Sequence, residues 1–171
     1  MAELTTQERL QPALLDRLTD DEPQKTQESR EQRAISLQKL RQAVLRDLTW
    51  LLNTPNLAST EDLSEYPEVA RSVVNYGVPS FSGMVQSRLD STDIERAIRE
   101  AVIRFEPRLL GKTVRVKLAG SGDEGSQSAL QLQMVAELWA QPVPLRMFMK
   151  TELDLELGAV RVTEQSETGR R

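Results

Sequence analysis

The sequence predicts an α+β fold: an antiparallel sheet of about four strands packed against two main helices and short helical pieces. Three observations carry that expectation. Two stretches, residues 32–52 and 91–108, repeat apolar residues every three or four positions, which gathers them on one helical face. Past residue 112, four stretches alternate apolar and polar side chains, as in a sheet with one buried and one wetted face. Glycine and proline collect between these stretches, where the chain has to turn.

The stretch from Ser91 to Arg108 is the hub. Ile94, Ala97, Ile98, Ala101, Val102 and Phe105 make its stripe, and Thr92 with Glu95 three residues on fits a capping box. Pro107 lacks an amide donor and restricts the residue before it, so the helix is expected to stop near Phe105. Glu106 and Arg108 then stand where helix hands over to strand. An acid and a base flanking a rigid proline can satisfy loose backbone groups there or reach across to another chain.

Ahead of the hub, residues 1–31 read as a flexible leader with a short helix around 12–18, whose Leu14, Leu15 and Leu18 share one side. Two turns do not hold themselves together in water, so these leucines need something to dock on. A single domain over 32–162 follows. It opens on a helix to Leu52, with Leu37, Leu40, Val44, Leu48 and Leu51 as its stripe and Asn53–Asn56 as its stop. Residues 57–90 are expected to be short helical pieces, including Tyr66–Val74, followed by a turn carrying Tyr76, Gly77 and Pro79. The strands are expected at 113–118, 129–139, 147–157 and 160–162, with 163–171 a disordered tail. Trp139, Phe148, Met147 and Met149 read as core, and Trp50 as an aid to helix packing.

Composition narrows the function. At 171 residues the chain can bury a real core. Its 22 basic and 26 acidic residues, with few aromatics, argue against a nucleic-acid binder. It has no cysteine and no histidine, which excludes disulfides, Cys–His and Ser–His–Asp catalysis and argues against a metal site. No apolar run reaches the roughly 20 residues of a membrane helix, and no signal peptide opens the chain. The expectation is a soluble intracellular protein with no cofactor.

Enzyme-like motifs read better as structure. Gly111-Lys112-Thr113 resembles the end of a phosphate loop, but Glu106 stands where that motif needs glycine, and the order is helix then strand. The 120–125 loop carries Asp123 and Glu124, which repel phosphate. A glycosidase needs two carboxylates about 5–9.5 Å apart, one of them holding a proton. Glu106 has Arg108 beside it, and a guanidinium favours the charged form of its neighbour.

Five pieces in order carry a resemblance: LLDRLTDD (14–21), RDLTWLLNT (46–54), YPEVARSVVNYGVPSFSG (66–83), the Phe-Glu-Pro-Arg-Leu run ending at Leu109, and ELDLELGAVRV (152–162). Together they resemble the TssE family, small baseplate wedge proteins of bacterial type VI secretion systems. That family is similar to phage-tail wedge proteins once labelled lysozyme-like. The resemblance implies a non-enzymatic part beside TssF, TssG and TssK, under the TssB/TssC sheath, at a baseplate near the inner membrane. It puts the family's Glu-Pro-Arg motif on Glu106, Pro107 and Arg108. It also implies a sheet that accepts strands from the sheath, with Leu153, Leu155, Leu157, Val160 and Val162 as edge candidates. The rival readings are a peptidoglycan hydrolase, from the older label, and an adaptor using the same fold.

Overall fold

The computed structural model describes residues 13–19, 24, 37–80, 91–121, 129–139, 144–154 and 157–165. Helices α1 (Leu14–Leu18), α2 (Leu37–Leu52), α3 (Pro67–Arg71) and α4 (Ser91–Phe105) precede strands β1 (Arg115–Ser121), β2 (Ala129–Leu138), β3 (Leu145–Asp154) and β4 (Val160–Glu164). The strands form one antiparallel sheet in the order β1-β2-β3-β4. Each strand therefore lies beside its sequence neighbour, the arrangement that short connections favour.

One face of the sheet is dry. Leu130, Leu132, Met134, Ala136 and Leu138 alternate along β2, and Met147, Met149 and Leu153 along β3, all buried. Against them α2 sets Leu40, Val44, Leu48 and Leu51, and α4 sets Ile94, Ile98 and Val102. Each leucine so buried contributes about 2 kcal/mol. The helices take opposite margins, α2 packing beside β4 and α4 beside β1.

The irregular stretch between α2 and α4 is held by polar groups. Asn75 is buried, accepting from the Ala58 amide at 2.9 Å and donating to the Ala70 carbonyl at 3.0 Å. Thr54 and Asn56 exchange backbone bonds with Val78, both 2.9 Å. Gly77 lies under this bridge with φ +121°, and a Cβ there would strike the Thr54 carbonyl. The expected turn with Tyr76, Gly77 and Pro79 thus exists, and only glycine fits its tightest point.

Several expectations need correction. The helix expected over Tyr66–Val74 breaks at Ser72, whose extended backbone and hydroxyl, accepting from the Val74 amide, start a separate 3-10 turn at Val73–Asn75. At the start of α4 the expected capping box gives way: Thr92 already lies inside the helix, and Glu95 accepts from the Leu118 amide of β1 at 2.8 Å. Trp139 is not core. Leu138 occupies the inward position, so the next residue points outward and is 53% exposed; Phe148 is half-buried for the same reason. The third strand spans Leu145–Asp154, which leaves Leu157 in a turn and exposed. Thr163 and Glu164 belong to β4 and not to a tail. Residues 32–36, most of the leader, Leu155 and the centre of the 120–125 loop lie outside the described residues.

Replacing Gly77 by alanine forces a side chain into left-handed backbone and against Thr54, strain of about 1–3 kcal/mol. The thermal midpoint of Gly77→Ala is expected to fall by at least about 2 °C; an unchanged midpoint would show that the turn can relax.

Candidate functional site

The Glu106-Pro107-Arg108 corner is built by the way α4 ends. The Glu106 amide still donates to the Val102 carbonyl at 2.9 Å, and Pro107 then breaks the ladder. The chain turns, and Leu109 pairs with Leu138 at the end of β2. Two backbone bonds flank that bridge, Trp139 amide to Arg108 carbonyl at 2.7 Å and Leu110 amide to Glu137 carbonyl at 2.8 Å. The corner is therefore nailed to the sheet.

Its side chains close on one another. Glu106 is 3% exposed. Arg108 donates to it twice, Nε to Oε1 at 2.6 Å and Nη2 to Oε2 at 2.5 Å, and the Arg108 amide adds a bond to Oε1 at 3.2 Å. The same Nη2 reaches Asp47 Oδ2 on α2 at 2.5 Å. Asp47 accepts from Arg46 at 2.8 Å, and Arg46 meets Asp16 of α1 at 2.8 Å. Five alternating charges thus run from the corner across α2 to the leader helix.

Burial opposes the charge on Arg108, but the hydrogen bonds and charges of Glu106 and then Asp47 outweigh it and hold the guanidinium above its ordinary pKa. Asp47 is the main cause of the same upward shift at Arg46. Tyr76 stands in this field. Burial, with the charges of Asp47 and Glu106, raises its phenol pKa, and its ring meets Phe105 edge-on at 5.1 Å. Chain folding therefore brings the turn motif and the Glu-Pro-Arg motif together. Arg108 Nη1 is buried without a hydrogen-bond partner among the described residues.

Both Glu106 oxygens are committed to Arg108, so this acid offers no free carboxyl to a substrate. Among the described residues no cluster of metal-ligating side chains occurs, and no helix is long and apolar enough to cross a membrane. What the corner does is lock a helix end, a strand end and a second helix into one geometry.

Residues 38–143, from the first turn of α2 through the corner to the end of β2, match the family of baseplate wedge protein gp25. The chain belongs to that family. As a gp25-family member it is a structural part of a phage-tail-like baseplate. Neither curated proteins nor solved structures give a match.

Other anticipated residues are placed separately. In this gp25-family protein, α1 turns Asp16 inward and leaves Leu14, Leu15 and Leu18 71%, 43% and 73% exposed. Pro79 and Pro107 are exposed. Among the edge candidates, Leu153 is misplaced: it sits on an inner strand, buried, paired with Leu130 on one side and Val160 on the other. Val160 and Val162 do lie on the outer strand. Sequence reasoning missed Asp47, Arg46 and Asp16, whose partners are distant in the chain. One local signal existed, an acid between buried Val44 and Leu48 on the apolar side of α2.

Arg108→Met is expected to strand Glu106 as a buried charge and to cost about 3 kcal/mol or more in denaturant unfolding. The double variant Glu106→Leu with Arg108→Met should recover much of that loss, because no unpaired charge remains. A second expectation concerns pH. A phenol whose folded pKa is raised contributes its stability fully below the unfolded value near 10 and loses it as pH rises through the folded value. Tyr76→Phe should accordingly show a shallower loss of stability than the wild type in unfolding curves taken across alkaline pH.

Proposed function

We propose that this protein is the TssE-like wedge subunit of a type VI secretion baseplate, linking the wedge to the contractile sheath and helping to start sheath assembly. Membership of the gp25 family carries the reading, and the motifs at 46–54, 66–83 and 105–109 narrow it. TssF and TssG, with TssK nearby, are its wedge partners, and TssB/TssC its sheath partner. It works in the cytoplasm, at a baseplate close to the inner membrane, as one domain over 32–162 with a leader ahead of it. In this role nothing is cleaved or transferred. The charge-locked corner gives a rigid scaffold, and the open antiparallel sheet supplies backbone groups to neighbours.

Helix α1 is the part that reaches outward. Its leucines project away from a body that holds it through Asp16, which suits a short helix entering a partner's groove. Deleting residues 1–25 is expected to leave the domain's melting temperature within a few degrees while reducing co-purification with TssF and TssG severalfold. Unaltered recovery of the complex would remove the leader from the interface. A turnover of peptidoglycan by the pure protein, lost in Glu106→Gln, would overturn the structural reading as a whole.

A further inference from the structure

We propose that the β4 margin of the sheet, and not the β1 margin, receives the extended segment of a partner chain, and that Asn53 sets where that segment begins. This rests on the strand-accepting role proposed above.

The two margins differ in what holds their outward backbone groups. At β1, Leu118 donates its amide to Glu95 at 2.8 Å, and the Val114 carbonyl accepts from Arg99 Nε at 3.2 Å. Both side chains come from α4, which packs along that strand. They flank Val116 and leave a single outward residue between them. The ladder with β2 also slips between Leu118 and Ser121, an irregularity that turns an edge away from further pairing. A helix flanks each margin alike, α4 at β1 and α2 at β4, so the spacing of the occupied backbone groups is what separates the two.

At β4 the register is open. Ala159 accepts from Asp154, and Gln165 donates to Phe148, so odd-numbered residues face β3. Val160, Val162 and Glu164 therefore turn their N–H and C=O groups to the free margin. Among the described residues only the Val160 groups are occupied. Its amide donates to Asn53 Oδ1 at 2.8 Å and its carbonyl accepts from Asn53 Nδ2 at 2.7 Å. The Asn53 carboxamide thus mimics one residue of a fifth strand, and it is steadied by a further bond to the Thr49 carbonyl at 2.6 Å. Val162 and Glu164, the next two outward positions, have no such partner among the described residues. A strand adding here starts at Val162 and runs away from Asn53.

That path leads into a groove of about 520 Å³ between the first turns of α2 and the end of β4, lined by Leu37, Gln38, Arg41, Gln42 and Glu164. Arg41 is ion-paired with Glu164 at 2.5 Å, and its buried Nε has no acceptor among the described residues. The occupant is an extended protein segment carrying an acceptor side chain (Asp, Asn, Ser or Thr) opposite Glu164, where the partly exposed Arg41 guanidinium lies, with an apolar neighbour against Leu37. Main-chain pairing supplies affinity, and this groove supplies selectivity.

The test uses the full chain with the purified TssB/TssC pair as probe and reads hydrogen exchange by mass spectrometry. In the free protein, Asn53→Ala should speed exchange at Val160 while leaving Arg161 and Thr163, which face β3, protected. Adding the pair should slow exchange in peptides over 157–165 and not over 113–121. Val162→Pro removes an outward amide without touching the β3–β4 ladder, and is expected to weaken binding at least tenfold; Arg41→Ala, which removes the guanidinium paired with Glu164, should weaken it severalfold. Glu95→Gln should bind as the wild type does. Protection over 113–121 instead, or full affinity in both Val162→Pro and Arg41→Ala, overturns the β4 assignment while the strand-accepting role survives. Absence of any binding by the wild type refutes that role, and this assignment with it.

Discussion

Arg108 is the joint on which the architecture turns. One planar guanidinium serves two carboxylates, Glu106 in its own corner and Asp47 on α2. A fork of fixed geometry can do this where a flexible ammonium cannot. Without it, Glu106 would be a charge shut away from water, and the end of α4 would lose its polar link to α2. Proline between the two residues matters because it stops the helix at the point where the fork can fold back. The bridge to Leu138 then hands that geometry to the sheet.

A baseplate subunit has to keep its shape under load and still offer surfaces to neighbours. In this protein the two demands fall on different parts. The interior, from Leu48 and Val102 to Met134 and Met147, is shut to water. The periphery is where choices are made. Helix side chains hold the backbone at both sheet margins, by Glu95 and Arg99 on one side and by Asn53 on the other. Protection of this kind keeps an open sheet from pairing at random. Its uneven spacing leaves one margin more available than the other.

Helix stripes and strand alternation were legible in the sequence because both periods are local. Leu130 to Leu138 and Ile94 to Val102 declare their faces without reference to anything else in the chain. The same logic, followed one residue further, puts Trp139 outside, since Leu138 already holds the inward position; size and hydrophobicity argued for the core, and the pleat decided otherwise. The break at Ser72 was hidden because Tyr66–Val74 carries apolar residues at helical spacing (Val69, Ala70, Val73) and no glycine. A hydroxyl capping the next turn leaves little trace in such a pattern.

The sequence by itself determined the two main helices and the four strands in outline, the dry face of the sheet, the point where α4 stops, and the motifs that mark the family, since these depend on neighbours within a few residues. Only the tertiary structure decided that Arg108 turns inward to Glu106 and Asp47, that Tyr76 stands in their field, and that Asn53 takes up the backbone of Val160. Those contacts join residues as many as 107 positions apart, and nothing in a local pattern says which of many polar side chains will meet once the core has closed.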